Sequence, residues 1–378
     1  MTDLRALLGI EHPIVLGPFG GLSSVALAAA VSEAGGLGGY GLYGYDGDRI
    51  RSTVAELRQA TARPFAVNIW IPTGDEVEPN AQHTVFAQAL QPFYDAVGVA
   101  VPERPARYLP PLDEQLDAIW DSAPPVLSVV FGVPSDEVIA EAHRRGIRVI
   151  GTATTVAEAV ALADAGVDAV VATGLEAGGH RVSFLRPAEE SLIGTFALVP
   201  QVVDAIDVPV IAAGGIADRR GVAAAFALGA SAVQVGTAFL ATAESAANDS
   251  HRAAIRSTPA DGTVLTRAMS GRLARGARNR AVRAIEASGT IAPFPMQNWL
   301  TGQFRTAAGA QNLGELQSLW MGQGAPLAAY RTAAEAFAEM LAGVPDDGIS
   351  AIEARIEENR EAWERPDPAR SRGARSRG

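Results

Sequence analysis

The sequence predicts an α/β chain folded as a (β/α)8 barrel, with a long insertion after the third strand and a helical part at the C-terminal end. Three observations lead there. Short apolar runs alternate with Ala-rich helical segments from the start, the mark of repeated β-α units on a parallel sheet. Eight such units fit into about 240 residues, the length that such a barrel needs. Several of the runs also end in glycine, as strands do where the following loop must pass close to a ligand. A doubly wound sheet fits less well, because no early G-x-G-x-x-G opens a helix.

Ile14 to Gly20 reads as the first strand breaking into a Gly/Pro turn, with Ser23 or Ser24 capping a helix that runs to about Ala34. Gly36 to Gly41 is a glycine-dense second strand, followed by a helix over 49–60. Phe65 to Trp70 is the third strand, with Asn68 near its carboxyl end. The alternation pauses over 71–125, a stretch rich in Pro and acidic residues with helices expected at 82–96 and 112–121. A loop region of this length inside a barrel is expected to cover the substrate. Strands four, five and six follow at 126–131, 148–152 and 169–173, with helices at 135–145 and 156–165. A helix at 198–206, strand seven at 210–213, a helix at 219–228 and strand eight at 232–235 complete the pattern. After Leu240 the strand pattern stops. The expected division is a barrel over 1–243, a helical subdomain over 244–364 with a last helix at 350–363, and a disordered Arg/Ser/Gly tail over 365–378.

Composition narrows the chemistry. Among 378 residues, 48% are apolar and 19% charged, as in a well-buried globular enzyme. The net charge of -11 offers no basic face for a nucleic acid. There is no Cys, which excludes disulfides, thiolate metal sites, iron–sulfur clusters and cysteine nucleophiles. There is no Lys either, so all 31 basic residues are Arg; Schiff-base chemistry and a P-loop lysine are excluded. No second His or paired carboxylates stand at ligand spacing, so no metal is expected. The N-terminus does not read as a secretory signal and no charge-free run reaches membrane-spanning length, so the expectation is a cytoplasmic protein without a membrane partner. A homo-oligomer is left open.

Three strand-to-glycine edges carry the chemistry. One runs from Val170 through Thr173, Gly178 and Gly179 to His180; the others are Ala213-Gly214-Gly215 and Gln234-Val235-Gly236-Thr237. In a parallel barrel they meet at the carboxyl ends of the strands, where the last two loops commonly bind phosphate through backbone N–H groups and a helix N-terminus. Asp218, Gly221 and the intervening arginines fit a loop entering a helix. Without lysine, backbone amides, the Thr237 hydroxyl and helix dipoles must do most of the work, with Arg as a helper. Of the five histidines, only His180 combines a strand-end position with flanking glycines. A neutral imidazole there could take a proton from a weak carbon acid, the alternative being a histidine bonded to a carboxylate such as Glu176.

The Gly-Pro-Phe edge, Val67-Asn68, Glu176-Ala177-Gly178-Gly179-His180-Arg181, Ala213-Gly214-Gly215-Ile216, Gln234-Val235-Gly236-Thr237-Ala238-Phe239-Leu240 and the late Leu319-Trp320-Met321-Gly322-Gln323-Gly324 together resemble the nitronate monooxygenases. The resemblance covers roughly residues 1–330. It implies a TIM barrel holding FMN without a covalent link. By motif, Gly214, Gly215, Gly236 and Thr237 would cradle the phosphate beside Ala213 and Gln234. Asn68, Thr173, Gly178, Gly179 and Gln323 would lie along the flavin, Gly17, Pro18 and Phe19 would line its ring edge, and His180 would be the base or substrate-orienting group. The implied reaction is oxidation of alkyl nitronates or nitroalkanes by O2 to a carbonyl compound and nitrite, in an apolar pocket for which Phe19, Trp70 and Phe131 are candidates. Family members usually carry Gln where this chain has Thr173, and some carry Lys where it has Thr152. An FMN- and NAD(P)H-dependent enoyl reductase, a barrel lyase or isomerase acting on a phosphorylated substrate, and a flavin-binding protein with decayed catalysis stay open as alternatives.

Overall fold

The computed structural model describes residues 3–74 and 83–345. The last helix expected at 350–363 and the Arg/Ser/Gly tail lie outside them. Eight parallel strands form the barrel: β1 (Ile14–Leu16), β2 (Gly38–Gly41), β3 (Phe65–Trp70), β4 (Val126–Val130), β5 (Arg148–Ala153), β6 (Ala169–Thr173), β8 (Val210–Ala213) and β9 (Ala232–Val235). Their order around the sheet is β1-β9-β8-β6-β5-β4-β3-β2. A single parallel bridge, Val15 to Leu37, closes the ring, with Leu16 N donating to Leu37 O at 2.9 Å. A TIM barrel is the result, as the alternation predicts.

Side-chain parity explains the packing. Val15, Ala66, Val126, Ile150, Ala169, Val171, Ile211 and Ala232 share one core inside the barrel, with Leu4 and Leu8 of the first helix, Leu4–Leu8, packed into the same cluster. Their strand neighbours Ile14, Leu16, Val67, Val149, Val170, Val210, Val233 and Val235 belong to the larger core shared with the outer helices. Ser24 caps the helix Val25–Glu33, whereas Ser23 turns back to the Phe19 backbone and accepts from Gly41 N at 3.0 Å. Helix Ala333–Leu341 packs between helices Val25–Glu33 and Arg219–Ala227 in the outer ring.

One expectation is overturned after Leu240. The chain there is not helix and turn alone: β10 (Thr263–Thr266) and β11 (Ala274–Ala277) form an antiparallel hairpin, and β7 (Gly179–His180) pairs with β11 as its third strand. Ala274-Arg275-Gly276-Ala277 carries no β-branched or aromatic residue, so propensity gives no sign of a strand. Tertiary pairing makes one.

The insertion helices stand at His83–Val97 and Leu112–Ser122, close to their expected places. The first leaves the barrel core. Its Leu90, Phe93 and Tyr94 pack with Val282 and Ile285 of helix Arg280–Ser288 and Leu300 and Phe304 of helix Met296–Ala310. Tyr94 OH donates to Leu300 O at 2.5 Å, and Gln311 Nε2 to Val97 O at 2.8 Å.

The closing seam sets a stability test. A Cβ on Gly39 would stand 2.3 Å from Leu16 O, a backbone atom that can yield only if β1 and β2 part. Gly39→Ala is expected to lower stability by about 3 kcal/mol, measured as a shift in the urea midpoint at unchanged m-value.

Candidate active site

The inward parity that gives an apolar barrel interior changes character at the carboxyl end. Two residues beyond Ala66, Val126, Ile150, Val171 and Ala232 stand Asn68, Ser128, Thr152, Thr173 and Gln234, a polar layer on the apolar floor. Asn68 is buried, and its Nδ2 donates to Ser128 O and Oγ at 3.2 and 3.1 Å, which leaves Oδ1 as an acceptor. Thr173 ends β6 opposite Ala213, which in turn pairs with Gln234.

His180 is held as part of β7 rather than on a free loop. Ala274 is its partner across the sheet, and Arg181 N donates to Leu273 O at 2.8 Å. The imidazole Nε2 lies 2.9 Å from the buried Ser270 hydroxyl. The ring is walled by Trp70, Trp320 and Phe131, with centroids at 4.9, 5.6 and 6.2 Å. Phe131 reaches this place from a left-handed backbone, φ 70°, a strained conformation for a bulky residue that the surrounding packing must hold. Phe294 and Tyr43 extend the wall beyond Trp70, with centroids at 5.7 and 4.2 Å from it. The Arg272 guanidinium lies over both Phe131 and Phe294, at 4.5 and 4.1 Å from the ring centroids, and donates to Thr73 Oγ1 at 2.7 Å. A cavity of about 300 Å³ continues outward from this wall, lined by Trp70, Tyr43, Arg272 and Phe294 on one side and Arg107, Tyr108 and Leu112 of the insertion on the other.

Desolvation, with smaller contributions from Arg272 and Arg305, pushes the His180 imidazole down to about 3. It is therefore neutral at physiological pH. His251 is likewise pushed down to about 4 by burial, and its Nε2 bonds Trp320 O at 2.9 Å, fixing one wall of the pocket.

The glycine edges converge as expected. Gly178 and Gly215 are exposed while the strand residues before them are buried. Gly214 and Gly215 have φ of 105° and 72°, a consecutive left-handed pair that side chains resist, and a Cβ on Gly214 would strike Thr195 Oγ1 at 2.7 Å. A Cβ on Gly17 would stand 3.3 Å from Gly236 Cα, and one on Gly236 would stand 3.5 Å from the Phe19 ring, so Gly17, Pro18 and Phe19 face the Gly236-Thr237 edge. The late segment ties all three edges together. Gln323 N donates to Glu176 O at 2.9 Å, Gly322 N to Thr237 Oγ1 at 3.0 Å, and Gly324 packs against Gly215 O. Among the described residues the Thr237 hydroxyl accepts from Gly322 and donates to no group, which leaves its proton available to a ligand.

Two expectations about neighbouring charges are corrected. Glu176 does not hold His180. Its carboxylate accepts from Thr195 N and Oγ1 and so caps helix Thr195–Ala205. Arg219 and Arg220 do not serve the cradle, being paired with Glu339 and Asp218, while Asp218 caps helix Arg219–Ala227. Ser270, Arg272, Phe294, Arg305 and Trp320 entered without any sequence signal as site residues, except that Trp320 sits in the late motif.

A family profile described as Nitronate monooxygenase matches residues 1–343. The chain belongs to this family. A probable nitronate monooxygenase from Staphylococcus aureus (strain Newman) is 39% identical over 327 residues, 86% of this chain and 92% of that protein. The chain is also similar to a nitroalkane oxidase from Streptomyces ansochromogenes, at TM-score 0.81 and 36% identity over 95% of this chain and 99% of that one. FabK from Thermotoga maritima superposes at TM-score 0.71 with 32% identity, covering 96% and 99% of the two chains. Nitronate monooxygenase membership makes the chain an oxidoreductase, of the kind that carries out flavin-dependent oxidation of nitro compounds.

A histidine whose folded-state pKa lies below its unfolded value of 6.5 lets the unfolded chain bind more protons, so stability falls as pH drops below about 6.5. Each such group adds a slope of at most about 1.4 kcal/mol per pH unit. His180→Gln is expected to flatten the fall in stability between pH 6.5 and 4 relative to the parent, read from urea midpoints across that range.

Proposed function

We propose that the glycine-lined end of the barrel binds FMN and that the protein oxidises alkyl nitronates or nitroalkanes with O2 to a carbonyl compound and nitrite. His180 acts as base toward the nitroalkane carbon. The observation that carries this reading is the neutral imidazole in an aromatic box beside a cradle of exposed glycine backbone.

The residues present fit such a cofactor. Gly178, Gly214, Gly215 and Gly236 offer backbone without side chains in the way, and Thr237 offers a hydroxyl proton to the phosphate. Gly179, Ala213, Thr173, Asn68, Gln234 and Gln323 would line the remainder, with Gly17, Pro18 and Phe19 at the opposite edge. Bound there, the flavin supplies the electron transfer from substrate to O2.

The protein's own contribution is proton chemistry and exclusion of water. A neutral imidazole accepts a proton where an imidazolium cannot, and burial among Trp70, Phe131 and Trp320 keeps it neutral. Arg272 and Arg305 disfavour the imidazolium that forms when His180 takes the proton and favour the anion left behind, so the transferred proton is stabilised only while that anion lies beside the ring. The insertion residues Arg107, Tyr108 and Leu112 frame the outer cavity through which substrate enters.

The purified protein is expected to be yellow and to release FMN, not FAD, on denaturation, identified by chromatography. Oxygen uptake and nitrite release with propyl nitronate support the reading; rapid anaerobic bleaching by NADPH would replace it with the reductase alternative. His180→Asn is expected to reduce kcat/KM for a nitroalkane by about 10²- to 10⁴-fold. The loss with preformed nitronate, whose proton is already gone, is expected to be much smaller.

A further inference from the structure

We infer that Ser270 is a positioning residue that fixes the tautomer of His180, placing the proton on Nε2 and leaving Nδ1 as the atom that takes the substrate's proton. Its catalytic consequence rests on the base role proposed above; the tautomer itself does not.

The argument starts from the hydroxyl's single proton. Ser270 Oγ lies 3.0 Å from Arg272 O, to which it donates, and 3.3 Å from Arg272 N, from which it accepts. With its proton on that carbonyl, which has nothing to offer in return, the hydroxyl has only lone pairs left for other contacts. The remaining lone pair faces His180 Nε2 at 2.9 Å, and two acceptors cannot share that contact. Nε2 therefore carries the hydrogen. In a neutral ring Nδ1 is then the lone-pair nitrogen. Among the described residues Nδ1 makes no hydrogen bond, and it is not among the side-chain atoms sealed away without a partner, so it keeps some access to its surroundings.

The backbone makes the arrangement rigid. Ser270 is fully buried in the turn between β10 and β11, and β11 pairs with the strand that carries His180. Hydroxyl and imidazole are thus set by one small sheet rather than by two independent loops. No carboxylate contributes to the shift of the ring's proton affinity. The charged groups acting on it are Arg272, in the segment that carries Ser270, and Arg305 of helix Met296–Ala310; both disfavour the imidazolium. With the doubly protonated form suppressed, the choice between the two neutral forms falls to the Ser270 contact.

The test is made on flavin-loaded enzyme labelled with ¹⁵N-histidine. Long-range ¹H–¹⁵N correlation at pH 7.5, assigned with His180→Asn, is expected to show a pyrrole-type Nε2 and a pyridine-type Nδ1. Ser270→Ala is expected to shift His180 toward the other tautomer or a mixture and to lower kcat for a nitroalkane by about 10- to 100-fold. Its effect on kcat for preformed nitronate is expected to be less than threefold, roughly, because no proton needs to be taken. Ser270→Thr keeps the hydroxyl and is expected to restore both the spectrum and the rate. That rescue separates positioning from a general loss of packing. A pyridine-type Nε2 in the parent enzyme, or an unchanged tautomer in Ser270→Ala, overturns the inference. An Nε2–H tautomer together with full activity in His180→Asn would leave the inference standing and remove the base role.

Discussion

One buried cation organises the catalytic end of the barrel. Arg181 follows His180 directly, and its guanidinium donates to Thr173 O at the end of β6, to Thr154 O just after β5, and to Ser191 O in the loop that follows. Among the described residues no carboxylate lies within hydrogen-bond reach of it. Burial pushes it down to about 10, and the nearby charges of Glu158 and Glu176 pull against that shift. A buried guanidinium is costly unless its protons are used, and here they go to three backbone carbonyls at the ends of two strands and in the loop beyond. The ends of two adjacent strands and the loop beyond them are therefore locked to the residue beside the imidazole. Glu158 extends the lock, taking Thr154 N and the Phe184 and Leu185 amides on its two oxygens.

Around this anchor the site combines two kinds of surface. The floor is the polar top layer of the barrel, Asn68 to Gln234, where parity alone decides which side chains point inward. The glycine edges rise from that floor and are bridged by the segment Met321–Gly324, whose backbone passes so close to Gly178 that a Cβ there would lie 2.5 Å from Met321 C. The walls are aromatic and come from β3, from the strained turn after β4, and from residues beyond 290. Backbone forms the glycine edges, and side chains form the aromatic walls.

Much of this was legible in the chain. Strand positions followed from apolar runs of alternating parity, and the three glycine edges identified themselves because a parallel barrel brings all strand ends to one rim. His180 stood out for its flanking glycines. What stayed hidden depends on contacts that no local pattern encodes. β11 lacks strand-forming residues and β7 has only two residues, so these two become strands through pairing with each other across about 90 positions. Ser270 is a small hydroxyl in a turn, with nothing in its neighbours to mark it. Glu176 looked like a partner for His180 because it is close in sequence, yet its carboxylate turns toward the helix start at Thr195. Thr173 was marked as the departure from the family, and what the structure adds is the use of its carbonyl, a backbone group that any residue at that position supplies.

The bridge formed by Met321–Gly324 also sets an order of assembly. The barrel strands lie within the first 235 residues and can pair as they emerge during synthesis. The rim cannot be finished then, because Glu176 and Thr237 wait for amides that are made more than 80 residues later. The first insertion helix waits longer still for its neighbours, since Tyr94 meets Leu300 across 206 positions. Loop closure over such separations is slow compared with local pairing. The hydrogen bonds that finish the rim thus become possible only when residues 322 and 323 have been made, late in the described sequence.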